Sequence, residues 1–234
     1  MIEHVYRRAA DARGVDAVVV ATDDARVVDA VERFGGVARM THQNHQTGMD
    51  RIAEVVAELA AGIIVNIQGD EPLVEPAAIT QMIEALQVDP ALEMSTLRTR
   101  IRRDEDYLSP HVVKVVVDRQ DNALYFSRSP IPYRPDLPPE GGRRRDPGRT
   151  YKHLGLYAYR RDFLLRLTAL PQTALERAES LEQLRALEHG VRIRAVETHY
   201  DSIGVDTPED LERVRHAIVA ATGSFRLKAE AARA

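Results

Sequence analysis

Short apolar runs along the chain alternate with stretches whose apolar residues recur at helical spacing. Met1 to Ala12 reads as a helix. Asp16 to Thr22 (DAVVVAT) reads as a buried parallel strand, and its Thr-Asp-Asp ending suits a helix cap. Asp24 to Phe34 carries Val27, Val28, Val31 and Phe34 on one helical face, and Gly35-Gly36 stops it. Arg39 to Gly48 reads as a polar loop. Met49 to Leu59 reads as a helix, Gly62 to Ile67 as a second buried strand, Pro76 to Leu86 as a helix and Glu93 to Thr99 as a strand. This alternation predicts an α/β fold, an open and mostly parallel sheet with helices on both faces.

The pattern then changes. His111 to Asp118 and Ala123 to Ser127 read as two strands joined by a hairpin-type turn over Arg119-Gln120-Asp121-Asn122. A long loop with three consecutive arginines covers Arg134 to Thr150. Lys152 to Tyr159 returns as a strand. Helices are predicted over Arg160 to Leu167 and Leu175 to His189, a strand over Val191 to Glu197, and a last helix over Thr207 to Thr222. That last helix opens on Asp206-Thr207-Pro208-Glu209, with proline in its first turn. The reading is one domain over 1–222, with a β-rich region at 111–159 and a charged tail at 223–234.

Composition narrows the function classes. With 234 residues the chain can bury a sizeable core. Its 32 Lys+Arg against 36 Asp+Glu leave a charge of −4, which counts against a general nucleic-acid binder. The absence of cysteine excludes disulfide frameworks, thiolate metal sites and cysteine nucleophiles. No apolar run is long enough to cross a bilayer as a helix, so no membrane partner is expected. Glu3, Arg7, Arg8 and Asp11 break any apolar stretch at the start, and the expected location is cytoplasmic.

Three polar clusters fall where strands end, the place ligands occupy in such sheets. His45-Gln46-Thr47-Gly48-Met49-Asp50-Arg51 precedes a helix, where free N–H groups suit an anion or nucleotide; alone, an ordinary cap explains it more readily. Gln68-Gly69-Asp70-Glu71-Pro72 sets two carboxylates after a buried strand, either a solvated turn or a Mg²⁺ site. In Gly204 to Asp210, Asp206 is either a helix cap or a second metal ligand, and one Asp after each of two strands suits phosphoryl transfer. His42 and His45 lack zinc-site spacing, and neither a GxxxxGK[ST] loop nor a GxGxxG fingerprint is present.

The motifs HQTGMDRIAE (45–54), NIQGDEP (66–72), KVVVD (114–118), ALYFSRSPIPY (123–133), KHLGLYAYR (152–160), LEQLR (181–185) and GVDTPEDLERV (204–214) run in order across almost the whole chain. Together they resemble the 3-deoxy-D-manno-octulosonate (Kdo) cytidylyltransferase family. QGDEP recurs among sugar nucleotidyltransferases; HLGLYAYR with LEQLR and VDTPEDLERV is more specific. The resemblance implies a Rossmann-like sheet of the nucleotide-diphospho-sugar transferase type. It implies transfer of CMP from CTP to Kdo, releasing pyrophosphate, for lipopolysaccharide biosynthesis. It also implies a cytoplasmic homodimer with its contact in the His111 to Tyr133 hairpin region. By the same resemblance, Asp70 and Asp206 hold the catalytic Mg²⁺. Thr47, Gly48, Arg51 and Gln68 serve the nucleotide, and Arg128, His153, Tyr157, Glu182 and Gln183 hold the sugar.

The chain departs from the family pattern in places. Thr47 stands where serine is frequent, Met49 where threonine is usual, and the Arg134 to Thr150 loop is its own. Relatives place a strand and an Arg, Ser and Gly-Lys-Pro loop ahead of the helix with which Met1 begins. The resemblance therefore implies an incomplete CTP site and weak or no activity for these 234 residues. Two alternatives are a transferase for another acidic sugar, amino-Kdo or a sialic acid, and an inactive binding protein on the same fold.

Overall fold

The computed structural model describes residues 1–45, 47–134, 150–201, 204–205 and 207–218. The first elements are α1 (Ile2–Ala10), β1 (Val20–Thr22), α2 (Ala25–Arg33), β2 (Ala38–Met40), α3 (Gly48–Ala57), β3 (Ile63–Asn66), α4 (Pro76–Val88) and β4 (Met94–Arg100). They are followed by α5 (Asp104–Leu108), β5 (Lys114–Val117), β6 (Ala123–Ser127), β7 (Tyr151–Arg160), α6 (Arg161–Thr168), α7 (Ala174–Glu179), α8 (Gln183–Glu188), β8 (Ile193–Glu197) and a helix over 208–218. No described helix is long and apolar enough to cross a membrane. The predicted tail lies outside the described residues, as does most of the 134–150 loop.

β7 organises the larger sheet. β4 runs antiparallel along one edge of it and carries β8 in parallel on its own far side. On the other edge, β3 pairs with Tyr157 to Arg160 and β5 with Tyr151 and Lys152, leaving 154–156 without a ladder partner there. β3, β4, β5 and β8 share one direction, as expected of a mostly parallel sheet, and β6 and β7 run the other way. The 111–159 region is therefore no appendage, because its last strand is central to the main sheet. β1 and β2 form a separate parallel pair, and among the described residues no ladder joins it to the six strands.

Successive β7 side chains point to opposite faces of the sheet, and both faces are packed. Leu154, Leu156 and Ala158 pack among Val5, Ala9, Ile79, Met82 and Leu86 of α1 and α4. Tyr151 and Tyr159 pack on the opposite face with Phe126, Phe163, Leu164 and Leu184. Each fully buried leucine contributes about 1.5–3 kcal/mol to this two-sided core. His153, Gly155 and Tyr157 share the second face but stay partly exposed, Gly155 fully so. This stretch of β7 is the part of that face left open to solvent.

Three local expectations need correction. The expected strand from Asp16 narrows to Val20–Thr22. The Arg39 to Gly48 loop begins with the last residues of β2, an edge strand held by its ladder to β1 with Arg39 and Met40 exposed. Such a strand buries too little to leave an apolar signature. Third, the single helix over Leu175 to His189 is two helices. Ser180 adopts φ +53° and Leu181 N–H returns to the Glu176 carbonyl, a Schellman ending. Arg128 reinforces the break, as Nε donates to Glu179 O at 2.8 Å and Nη2 reaches Ser180 O at 3.5 Å, removing acceptors a continuous helix would use.

Candidate active site

The N-termini of α3 and α8 meet above the open part of β7. Thr47 caps α3, accepting from Asp50 N–H at 3.2 Å, and its hydroxyl also hydrogen-bonds the Glu182 carboxylate. A Cβ placed on Gly48 would meet nothing within 4 Å, so the backbone there is open to a ligand. Asp50 and Glu182 already set negative charge against the positive end of α3. Of an anion or a nucleotide, this helix start therefore suits the hydroxyls of a ribose or sugar better than a bare phosphate. Burial raises the Glu182 carboxyl pKa; Thr47 and Arg185 oppose the shift, while Asp50 and Glu176 add to it. Gln183 is 3% exposed, and its Nε2 has no hydrogen-bond partner among the described residues.

Below them, Thr96 and Tyr157 face each other across β4 and β7, whereas Leu97 faces Leu154, so Gly155 and Leu156 bulge. Thr96 Oγ1 lies 2.7 Å from Leu156 O and 2.9 Å from His153 Nε2. The hydroxyl has one hydrogen, and the Leu156 carbonyl can only accept it. His153 must then donate from Nε2, which leaves Nδ1 as an acceptor. Burial pushes the His153 pKa down to about 3, so the ring stays neutral at ordinary pH. Its ring lies 4.9 Å from Phe126 and 5.3 Å from Tyr157 by centroids. Burial, and then the Glu182 charge, push the Tyr157 hydroxyl pKa upward, keeping it a neutral donor.

A depressed histidine pKa has a definite sign in acid. The unfolded chain takes up a proton near pH 6.5 that the folded chain refuses until about pH 3. Stability contributed by neutral His153 is complete above pH 6.5 and is lost as pH falls through that window, by up to about 1.4 kcal/mol per pH unit. Urea unfolding at about pH 7.5 and about pH 5 should show this loss in the parent chain and a smaller one in His153→Asn. Equal losses would place the imidazole in water.

Arg51, one turn beyond Thr47, reaches the ends of the parallel pair. Its guanidinium donates to Thr41 Oγ1 at 2.8 Å and to Asp23 Oδ2 at 2.9 Å. The Arg51 hydrogen bond lowers the Asp23 pKa, keeping that carboxylate charged. Asp24 is the α2 cap, accepting from Arg26 N–H at 2.8 Å, which leaves Asp23 to hold Arg51. Sequence reasoning missed Asp23 and Thr41; the doubled aspartate after a strand was the available signal.

Asp70 lies in the turn after β3, half-buried and near the Asn66–Tyr157 pair. Its carbonyl accepts from Val205 N–H at 3.0 Å, which draws in the segment preceding residue 206. Asp206 and Gln46 lie outside the described residues. The Asp70 carboxylate makes no hydrogen bond or ion pair among the described residues, whereas Glu71 accepts from Tyr200 Oη at 3.2 Å. No cluster of three metal-ligating side chains exists among the described residues. Mg²⁺ is commonly held by one or two carboxylates plus substrate phosphates, so an uncommitted Asp70 fits that donor set. Gln68 is exposed on the same turn.

Arg128 makes structural bonds beside its expected sugar role. Besides its bonds to Glu179 and Ser180, Nη1 donates to Pro110 O at 3.1 Å. Its backbone N–H and the Ser127 hydroxyl donate to the Glu179 carboxylate at 2.8 and 2.6 Å. Fully buried Lys114 spends its ammonium on the carbonyls of Ser109, Val112 and Arg128 at 2.8, 2.6 and 2.5 Å. Arg128 therefore braces the α7–α8 corner, with only its remaining N–H groups left for a ligand.

Residues 1–193 match the family model described as Cytidylyltransferase. The chain belongs to the cytidylyltransferase family. It is 57% identical over 221 residues to a 3-deoxy-manno-octulosonate cytidylyltransferase of Pelobacter propionicus, covering 92% of this chain and 86% of the relative. A protein of the same description from Geobacter sulfurreducens is 57% identical over 220 residues, covering 92% and 87%. Among solved structures, a CMP:2-keto-3-deoxy-manno-octonic acid synthetase complexed with CTP superposes with a TM-score of 0.85 at 45% identity, covering 94% of this chain and 88% of that one. The cytidylyltransferase thus carries its neutral histidine, raised carboxyl and uncommitted aspartate on the scaffold of a CTP-binding protein.

Proposed function

We propose that this cytidylyltransferase transfers CMP from CTP to 3-deoxy-D-manno-octulosonate, giving CMP-Kdo and pyrophosphate. Its 57% identity to a 3-deoxy-manno-octulosonate cytidylyltransferase over 92% of the chain carries the reading. The anomeric hydroxyl of the sugar attacks the α-phosphorus and loses its proton to solvent. A new P–O bond forms as the bond to the pyrophosphate oxygen breaks.

The side chains divide the work. Arg51, held by Asp23 and Thr41, and Gln68 serve the nucleotide, with Thr47 and Gly48 beside its ribose. His153 Nδ1 accepts from a sugar hydroxyl, while Tyr157, Glu182 and Gln183 supply the other polar contacts. An unpartnered Gln183 amide in a buried site supports that assignment, because such a donor is costly unless a ligand takes it. Asp70 and Asp206 would hold Mg²⁺, which when bound supplies positive charge beside the α-phosphate. The proposed protein is a cytoplasmic homodimer joined through the β5–β6 region.

Pyrophosphate release from CTP tests this directly. It, and every kinetic comparison below, is measured on the chain with the strand and Arg, Ser and Gly-Lys-Pro loop of its relatives placed ahead of Met1. Release should require both Mg²⁺ and Kdo, and Kdo should outcompete a sialic acid by at least about tenfold in kcat/KM. No Kdo-dependent release would refute the assignment, and preference for another acidic sugar would reassign the acceptor.

A further inference from the structure

The corner that delivers Glu182 and Gln183 is built around a buried ion pair for which the reaction has no direct use. Arg185 Nε donates to Glu176 Oε2 at 2.8 Å and Nη2 to Oε1 at 2.5 Å. Their side chains are only 5% and 3% exposed. Arg185 Nη1 approaches the Leu167 and Leu170 carbonyls at 3.4 Å, at the end of α6. Glu176 Oε2 also accepts from Thr173 N–H at 3.1 Å, closing the first turn of α7. One salt bridge therefore ties the end of α6, the start of α7 and the body of α8.

A buried pair contributes little net stability beside apolar residues of the same volume, because desolvation offsets most of the attraction. What a two-point fork supplies is geometry: the guanidinium plane and the carboxylate plane fix each other's orientation. Arg185 lies two residues beyond Gln183 on a helix of only 6 residues, too short to hold its own direction. The first residue of that helix is Gln183, buried with its Nε2 unpartnered among the described residues, and the residue before it is Glu182.

We infer that Glu176 and Arg185 are positioning residues that preset Glu182 and Gln183 for the acceptor sugar. The pair touches no substrate. It fixes where α8 begins, and through that the spacing between the Gln183 amide and the Glu182 carboxylate. Acceptor binding depends directly on this spacing; nucleotide binding, anchored at Arg51, Gln68 and Asp70, meets this corner only through the Thr47–Glu182 hydrogen bond and depends on it far less. The inference rests on the proposed sugar role of Glu182 and Gln183.

Four variants separate the possibilities. The double variant Glu176→Leu/Arg185→Met removes both charges while conserving bulk, and Arg185→Lys keeps the charge but loses the fork. Gln183→Ala and Glu182→Gln test the sugar role itself. The double variant, folded by circular dichroism and cooperative in urea, should show a KM for Kdo raised by about tenfold or more, with KM for CTP within about twofold and kcat within about threefold. Arg185→Lys should raise the same KM by about fivefold, again with CTP unaffected. A KM for Kdo unchanged in Arg185→Lys, or in the folded double variant, while Gln183→Ala raises it, overturns the positioning role and leaves the sugar site standing. If neither Gln183→Ala nor Glu182→Gln changes the KM for Kdo, the sugar reading fails and the inference fails with it.

Discussion

Asp70→Asn is expected to lower kcat by about a thousandfold, roughly 4 kcal/mol of transition-state stabilisation, while leaving the fold intact. The two side chains are nearly the same shape. The turn after β3 is held by backbone atoms, including Asp70 O to Val205 N–H, which the substitution does not touch. The side chain has no partner among the described residues, so its charge has no structural contact to lose. The amide cannot supply the anionic oxygen a hard cation takes. A thermal midpoint within a degree or two of the parent, together with a collapsed kcat and a higher Mg²⁺ requirement, is the expected pattern. Full turnover at saturating Mg²⁺ would remove Asp70 from the metal site. Glu71→Gln should be mild in comparison, because an amide oxygen still accepts from Tyr200.

Glu176→Ala is expected to cost about 3–5 kcal/mol of stability, the usual result of leaving one partner of a buried pair unpaired. Arg185 has nowhere to turn. It is enclosed by α6, α7 and α8, and apart from Glu176 its guanidinium reaches only the carbonyls of Leu167 and Leu170 among the described residues. Burial, the largest single influence, would raise the Glu176 pKa; the Arg185 and Thr173 hydrogen bonds and the charges of Arg185 and Arg177 together outweigh it and leave the carboxyl below its ordinary value. Its stabilising contribution is therefore present above the ordinary carboxylate pKa and is lost as pH falls through the lowered one. Urea midpoints at neutral pH measure the loss, with Glu176→Leu/Arg185→Met as the control that removes both charges. A loss below about 1 kcal/mol in the single variant would show that water reaches Arg185.

Much of the fold was legible because burial on two sides leaves a mark. β3, β4 and β7 are apolar or alternating runs, and α2, α3 and α4 carry apolar stripes at helical spacing with recognisable starts. β2 and α5 were not legible: the first is short and exposed, and the second is a single acidic turn. The break at Ser180 was hidden for a different reason. The sequence there has a continuous leucine stripe, and the break is a left-handed Ser180 reinforced by Arg128, a cation from just beyond β6.

The site divides the same way. Its inventory could be named from ordered motifs: Asp70 after a strand, Thr47 at a helix start, and His153 and Tyr157 on one strand face. Local sequence order determines only those placements, because strand ends, caps and alternation are short-range properties; the site roles of His153 and Tyr157 came from the motifs' resemblance to the Kdo cytidylyltransferase family. What each group does was decided only by tertiary contacts. Thr96 sets the His153 tautomer, Asp23 anchors Arg51, and Glu182 gains its raised pKa from enclosure. Arg128 also braces the α7–α8 corner, where the Glu179, Ser180 and Pro110 carbonyls accept from it. Charge state, tautomer and free hydrogen-bonding capacity depend on neighbours far apart in the chain, and only the folded chain brings those neighbours together.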